Sequence, residues 1–157
     1  MRVVLDTNVC LDVFVFGDPR AMPLLAAMTS RDVEAVTRED CRDEWLTVLG
    51  YPLLKLDDAR RAEAAARFDA LVTMLPAMEP ASKPPRCRDR DDQKFLDLAA
   101  ASGAEVLFSR DAEVLRLGRR TVRDGLFAIT TPAGLVWEPL QRRWVLAAAC
   151  PLPRDRR

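Results

Sequence analysis

The sequence predicts an α/β domain with a mostly parallel sheet, and three observations carry that expectation. Short β-branched runs alternate with segments of helical periodicity. The 157 residues suffice for one domain with a proper hydrophobic core. Apolar residues make up 49% and charged residues 31%, the balance of an ordinary globular chain. Arg2–Leu5 is a β-branched run that ends at Asp6 and reads as a buried strand. Ala21–Thr29 is rich in Ala, Leu and Met, with Pro23 near its start as a first helical turn permits. Val33–Val36 reads as the second strand. Thr37, with Asp40 three residues on, has the form of a helix N-cap, and the helix it opens runs to about Leu49 before Gly50-Tyr51-Pro52. Asp57 is expected to cap a long Ala-rich helix reaching about Leu75. Pro76–Arg90 contains Pro76, Pro80, Pro84 and Pro85 and reads as a loop, because neither half of the chain is large enough to stand alone. Asp91–Ala101 is a helix closed by Ser102-Gly103, Val106–Ser109 a third strand, and Asp111–Leu117 a short helix closed by Gly118. Leu126–Thr130 is the fourth strand, and Pro132 opens another short helix. Beyond Pro139 the pattern weakens: Trp144–Ala149 fits a strand or a helical turn, and Pro151–Arg157 a frayed tail.

Composition excludes several chemistries. Formal net charge is zero, so the molecule as a whole has no basic field to attract nucleic acid, and a polyanion must be held by a local patch and by metal. The positive charge is almost all Arg, with Lys only at Lys55, Lys83 and Lys94. Such a bias follows from genome composition as readily as from phosphate binding. Histidine is absent, which removes Ser-His-Asp triads and histidine acid–base chemistry. Cys10, Cys41, Cys87 and Cys150 form no C-x-x-C pair, so neither an ordinary zinc site nor a disulfide framework is expected. Met1–Asp6 enters a strand pattern directly, without the features of a signal peptide, and no apolar run is long enough to span a bilayer. The expected compartment is the cytoplasm.

Acids that break the apolar pattern are the informative ones. Glu44 lies within the stripe formed by Cys41, Trp45 and Val48. Asp92 lies on the stripe of Phe95, Leu96 and Ala99. A carboxylate turned toward a core costs several kcal/mol unless it is paired or binds metal. A salt bridge to a buried Arg is the structural alternative for each. Asp6 follows the first strand and Asp111 the third, so both belong at the carboxyl edge of the sheet, where parallel sheets carry their sites. Asp6 has a second reading as a turn-former before Thr7-Asn8, and Asp111 as a helix cap. Four acids from separate elements, with no histidine among them, suit a hard cation such as Mg²⁺ or Mn²⁺.

These residues resemble the motifs of PIN domains. Asp6-Thr7-Asn8-Val9 after an N-terminal strand resembles the family's opening motif, and Glu44 sits where the family has its second acid. Asp92-Gln93-Lys94-Phe95-Leu96-Asp97-Leu98-Ala99, preceded by Arg88-Asp89-Arg90-Asp91, resembles the third motif. Phe108-Ser109-Arg110-Asp111 resembles the fourth, and Ile129-Thr130-Thr131-Pro132-Ala133 the last strand and the helix after it. The match covers residues 1–136 in order, leaving 137–157 as a C-terminal extension. Within the family the likeness is to toxin components of bacterial and archaeal type II toxin–antitoxin systems (VapC-like). The resemblance implies a three-layer α/β/α sandwich around a parallel sheet of about five strands, and Mg²⁺- or Mn²⁺-dependent RNA cleavage. It implies metal-site and catalytic roles for Asp6, Glu44, Asp92 and Asp111. Asn8, Ser109 and Asp91 are implied as supporting residues, although Asp91 equally suits a helix cap, and Asp89 lies beside them. A cognate antitoxin covering the acids with a peptide carrying Arg or Lys, and a homodimer, follow by analogy alone.

The expected reaction is hydrolysis of an RNA phosphodiester by metal-activated water, with Glu44 or Asp111 as the proton acceptor. Arg38, Arg42, Arg88, Arg90 and Arg110 neighbour the acid motifs and are candidate phosphate contacts, or else counter-ions to adjacent acids. Three rivals stand beside this reading. One is a PIN-like domain that binds RNA or protein without cutting, against which the complete acid set counts. Another is a structure-specific DNA nuclease. The third, a haloacid-dehalogenase-type phosphatase, wants a second Asp two residues after the first, where this chain has Asn8. Trp137, Leu140 and Trp144 fit either an interface or the core.

Overall fold

The computed structural model describes residues 1–147. A five-stranded, all-parallel sheet has the order β3-β2-β1-β4-β5, with β1 Arg2–Leu5, β2 Glu34–Thr37, β3 Val72–Met74, β4 Val106–Phe108 and β5 Ala128–Thr130. The helices are α1 Thr7–Leu11, α2 Met22–Thr29, α3 Glu39–Leu49, α4 Asp58–Leu71, α5 Gln93–Ser102, α6 Ala112–Leu115 and α7 Gly118–Arg123. An antiparallel hairpin, β6 Leu135–Glu138 with β7 Arg143–Leu146, follows a 3₁₀ turn at Pro132–Gly134.

Side-chain alternation along the strands creates two buried layers. Val3, Leu5, Ala35, Val72, Val106 and Phe108 point to one face, where they meet Leu24, Trp45 and Phe68 of α2, α3 and α4. Val4, Val36, Leu107 and Ile129 point to the other, against Phe95, Leu96 and Leu98 of α5 and Val114 of α6. The first layer is keyed by aromatic contacts among Phe14, Trp45 and Phe68, with centroids 5.6–6.0 Å apart. The architecture is the α/β/α sandwich expected, with the expected number of strands.

Several local expectations need correction. The Ala-rich helix stops at Leu71, where β-branched Val72 and Thr73 turn extended and pair with β2 as an edge strand. Asp57 does cap that helix, accepting the Arg60 amide at 2.8 Å. The cap position of α3 is Arg38, not Thr37, and no side chain caps it. Gly118 does not close a helix but opens α7, where it packs so near the Ile129 carbonyl that a Cβ would lie 3.3 Å from that oxygen. The fourth-strand segment narrows to Ala128–Thr130, and Pro132 opens only the 3₁₀ turn. In α3 the buried position is Leu49, and Val48 is half-buried. Trp144 lies in a strand and packs on the core, Trp137 crosses it at 5.4 Å and is partly exposed, and Leu140 is fully exposed. Cys150 and the segment Pro151–Arg157 lie outside the described residues.

Candidate active site

Parallel pairing brings the ends of β1 and β4 side by side, since Leu5 pairs with Phe108 and the Asp6 amide donates to the Phe108 carbonyl at 2.9 Å. Asp6 and Ser109 therefore leave neighbouring strands at the same edge. Both are buried. The Ser109 hydroxyl donates to Asp6 Oδ2 at 2.6 Å, and the Asn8 amide to the same oxygen at 3.1 Å. Asn8 Oδ1 in turn accepts the Arg110 amide at 3.0 Å, and Ser109 Oγ accepts the Asp111 amide at 3.0 Å. Asn8 and Ser109 thus hold the Asp6 carboxylate and tie it to the backbone that carries Asp111.

The remaining acids arrive on helices that start at the same edge. Glu44, on α3, accepts from the Thr7 hydroxyl at 2.7 Å through Oε1, and its other oxygen is paired with the Lys94 ammonium. Asp92 stands at the N-cap of α5 with helical backbone and makes no side-chain capping bond. Asp111 caps α6, its Oδ1 accepting the amides of Glu113 at 2.8 Å and Val114 at 3.2 Å. Its helix-capping and edge readings are thus both correct.

The acids feel one another. Burial raises the Asp6 carboxyl, the Ser109 hydrogen bond opposes that rise, and the charge of Glu44 adds to it. Asp92 is pushed up to about 7, first by burial and then by the charges of Asp6, Asp111, Asp89 and Glu44. Asp91 is exposed and caps nothing; its amide donates to Asp89 Oδ1 at 2.9 Å. Among the candidate phosphate contacts, Arg42 is held by Asp69 through two hydrogen bonds of 2.8 and 2.7 Å, and Arg110 by Asp12 at 2.6 Å. Arg38 pairs with Asp40 at 2.8 Å. Arg88 and Arg90 are exposed and have no ion pair among the described residues.

Three site residues were not singled out from the sequence. Thr7 and Lys94 hold Glu44. Asp12, buried in the apolar run Leu11–Phe14, anchors Arg110. Asp12 breaks its apolar pattern just as Glu44 does, so the same signal marks it.

The donors suit a hard divalent cation. All are carboxylate oxygens, and the repulsion among them is of the kind that a divalent ion relieves. Among the described residues no three acids or cysteines surround a common point. The carboxylates lean instead on Ser109, Asn8, Thr7, Lys94 and the α6 amides, leaving Asp92 as the arm without such a tether.

The PIN-domain sequence profile matches residues 2–113. The chain belongs to the PIN-domain family. PIN domains are nuclease domains, act on nucleic acids, and typically use divalent metals. No curated protein matches the chain by sequence similarity. The profile match runs from β1 through β4 to the first residues of α6, and in this PIN domain the sheet continues past it into β5. Among the described residues, no helix is long and apolar enough to cross a membrane.

Proposed function

We propose that this PIN domain is a divalent-metal-dependent endoribonuclease in which Asp6, Glu44, Asp92 and Asp111 hold Mg²⁺ or Mn²⁺. The observation that carries the reading is the gathering of four acids from four elements at one sheet edge, among them an untethered Asp92 whose carboxyl is pushed up to about 7 by burial and by its neighbours' charges. A bound divalent ion supplies Lewis-acid polarisation of the phosphoryl group and a more acidic water. The chain's own residues do the positioning. Ser109 and Asn8 hold Asp6 rigidly as the anchor. Thr7 orients Glu44, and Lys94 balances its charge. Asp92 is free to turn toward an ion without breaking a protein hydrogen bond. Asp111 has one oxygen committed to α6 and the other available.

The resemblance to toxin components supports a toxin role, with an antitoxin covering the acid edge. The test of the chemistry is cleavage of single-stranded RNA in the presence of Mn²⁺ or Mg²⁺, beside Asp6→Asn and Asp111→Asn. Cleavage by the wild type that is lost in both folded variants supports the proposal. Undiminished cleavage by Asp6→Asn removes the site assignment, and cleavage of DNA alone in parallel reactions replaces the ribonuclease reading with a DNA nuclease. Growth arrest on expression of the wild type, absent with Asp6→Asn, is the outcome expected of a toxin.

A further inference from the structure

A second feature lies beside the acid edge and is opposite to it in charge. The loop between β3 and α5 covers a cleft of about 1150 Å³ with Lys83, Arg86, Arg88 and Arg90 along it. All four are exposed, and none has an ion pair among the described residues. Elsewhere Arg2 is matched by Glu34, Arg20 by Asp18, Arg42 by Asp69 and Arg116 by Glu113, each within 3.0 Å, whereas Arg31, Arg60, Arg67 and Arg119 are scattered and have no ion pair among the described residues. What sets this segment apart is density: in a chain of zero net charge, four cations without an ion pair fall within residues 83–90 along a single cleft and concentrate positive potential there. Asp89 and Asp91 alternate with two of them in sequence but do not line the cleft, whose acids are Glu79 and Asp97.

The segment is held in shape. Pro84, Pro85 and Cys87 are buried, and Gln93 clamps them from α5. Its Oε1 accepts the Cys87 amide at 2.7 Å, while its amide nitrogen donates to the Pro85 carbonyl at 3.4 Å and to Asp97 at 3.0 Å. Gln93 is the residue after Asp92, so the basic cleft and the acid cluster are built from one helix start. Cys87, which lines the cleft, lies near enough to Asp92, Asp111 and Asp89 to feel their charges.

We propose that this cleft is a backbone-binding subsite that holds the phosphodiester chain of single-stranded RNA to one side of the scissile phosphate. This rests on the ribonuclease reading of the neighbouring acids. The chemistry suits a backbone rather than bases: exposed guanidinium groups fit phosphate oxygens, and no aromatic side chain lines the cleft for base stacking. The size favours an unpaired strand. The volume equals that of a cube roughly 10 Å on a side, which can seat a flexible single strand inside the cleft, whereas a duplex, whose major groove alone is ~12 Å wide, could meet only its rim.

The test is fluorescence anisotropy with a labelled oligouridine of about 12 nucleotides, in chelator so that nothing is cut. The proteins are the wild type, Arg86→Ala/Arg88→Ala, Lys83→Ala/Arg90→Ala, and Arg60→Ala/Arg67→Ala. The last removes the same charge from a different face, where Arg60 and Arg67 line a separate small pocket. Four phosphate contacts on a single strand predict a log–log salt slope of about −3, and each cleft double variant should flatten it by about 1.4. The cleft variants should lose roughly ten-fold or more in affinity at moderate salt while the control pair changes little. An equal loss in the control, or cleft variants with wild-type affinity and slope, overturns the proposal, as does stronger competition by duplex RNA than by the single strand. Metal is absent, so failure of cleavage would not alter this readout. Conversely, Asp6-dependent cleavage that persists with an inert cleft would retain the nuclease reading and remove the subsite.

Discussion

Asp92→Asn should make the metal-free protein more stable, although it removes a residue assigned to the site. The Asp92 carboxyl is raised from 3.8 to about 7 by burial and by four neighbouring acids, and it forms no capping bond that Asn would lose. Between those values the folded state keeps a proton that the unfolded chain has released. The favourable contribution is therefore complete below pH 3.8 and is lost as pH rises through about 7. Taken in full, the displacement is worth about 4 kcal/mol above pH 7; because water reaches the side chain, screening reduces it to about 1–2 kcal/mol. For a domain of this size that corresponds to a melting temperature about 3–6 °C higher for the variant at about pH 8. The assay is thermal unfolding followed by circular dichroism in chelator, at steps from about pH 8 to about pH 4, with the gap shrinking steadily toward zero. A variant no more stable than wild type at the alkaline end, or a gap that does not change with pH, would refute the reasoning that burial and the neighbouring acids disfavour a charged Asp92.

Other consequences follow from the same geometry. Arg110→Ala strands the buried Asp12 carboxylate and should cost about 1–3 kcal/mol in urea unfolding, with Asp12→Asn in the same chain recovering part of it. Phe68→Ala empties one member of the aromatic trio and should cost about 3–5 kcal/mol by the same measurement. Lys94→Met leaves Glu44 without its cation, so melting in chelator should fall, and added Mn²⁺ should raise it by more than in wild type. Mn²⁺ affinity should weaken as pH falls below about 7, because Asp92 must shed its proton to ligate; affinity constant from pH 8 to pH 5 would exclude it as a ligand.

The alternation of strands and helices was readable because the inner strands are buried on both faces and so contain short apolar runs, as in Val3–Leu5 and Val106–Phe108. β3 was hidden because it is three residues long, continuous with α4, and exposed at Thr73 and Met74; its strand character comes from pairing with β2 rather than from pattern. α7 was hidden because Gly118 reads as a terminator, yet its lack of a side chain serves close packing on β5. The acids of the site stood out as breaks in apolar periodicity or as strand-end residues. Their partners did not, since Thr7 and Lys94 meet Glu44 only through the fold, across 37 residues in the first case. Arg42 and Arg110 looked like phosphate contacts because sequence shows proximity to the acid motifs but not the carboxylates, Asp69 and Asp12, that already hold them.

The most direct measurement is calorimetric titration of Mn²⁺ into the metal-free protein, beside the folded Asp6→Asn and Asp92→Asn variants. Saturable binding by the wild type that weakens sharply in both variants is the expected result. Binding of equal strength in all three proteins, or none in a well-folded wild type, would contradict the metal site at the carboxyl edge.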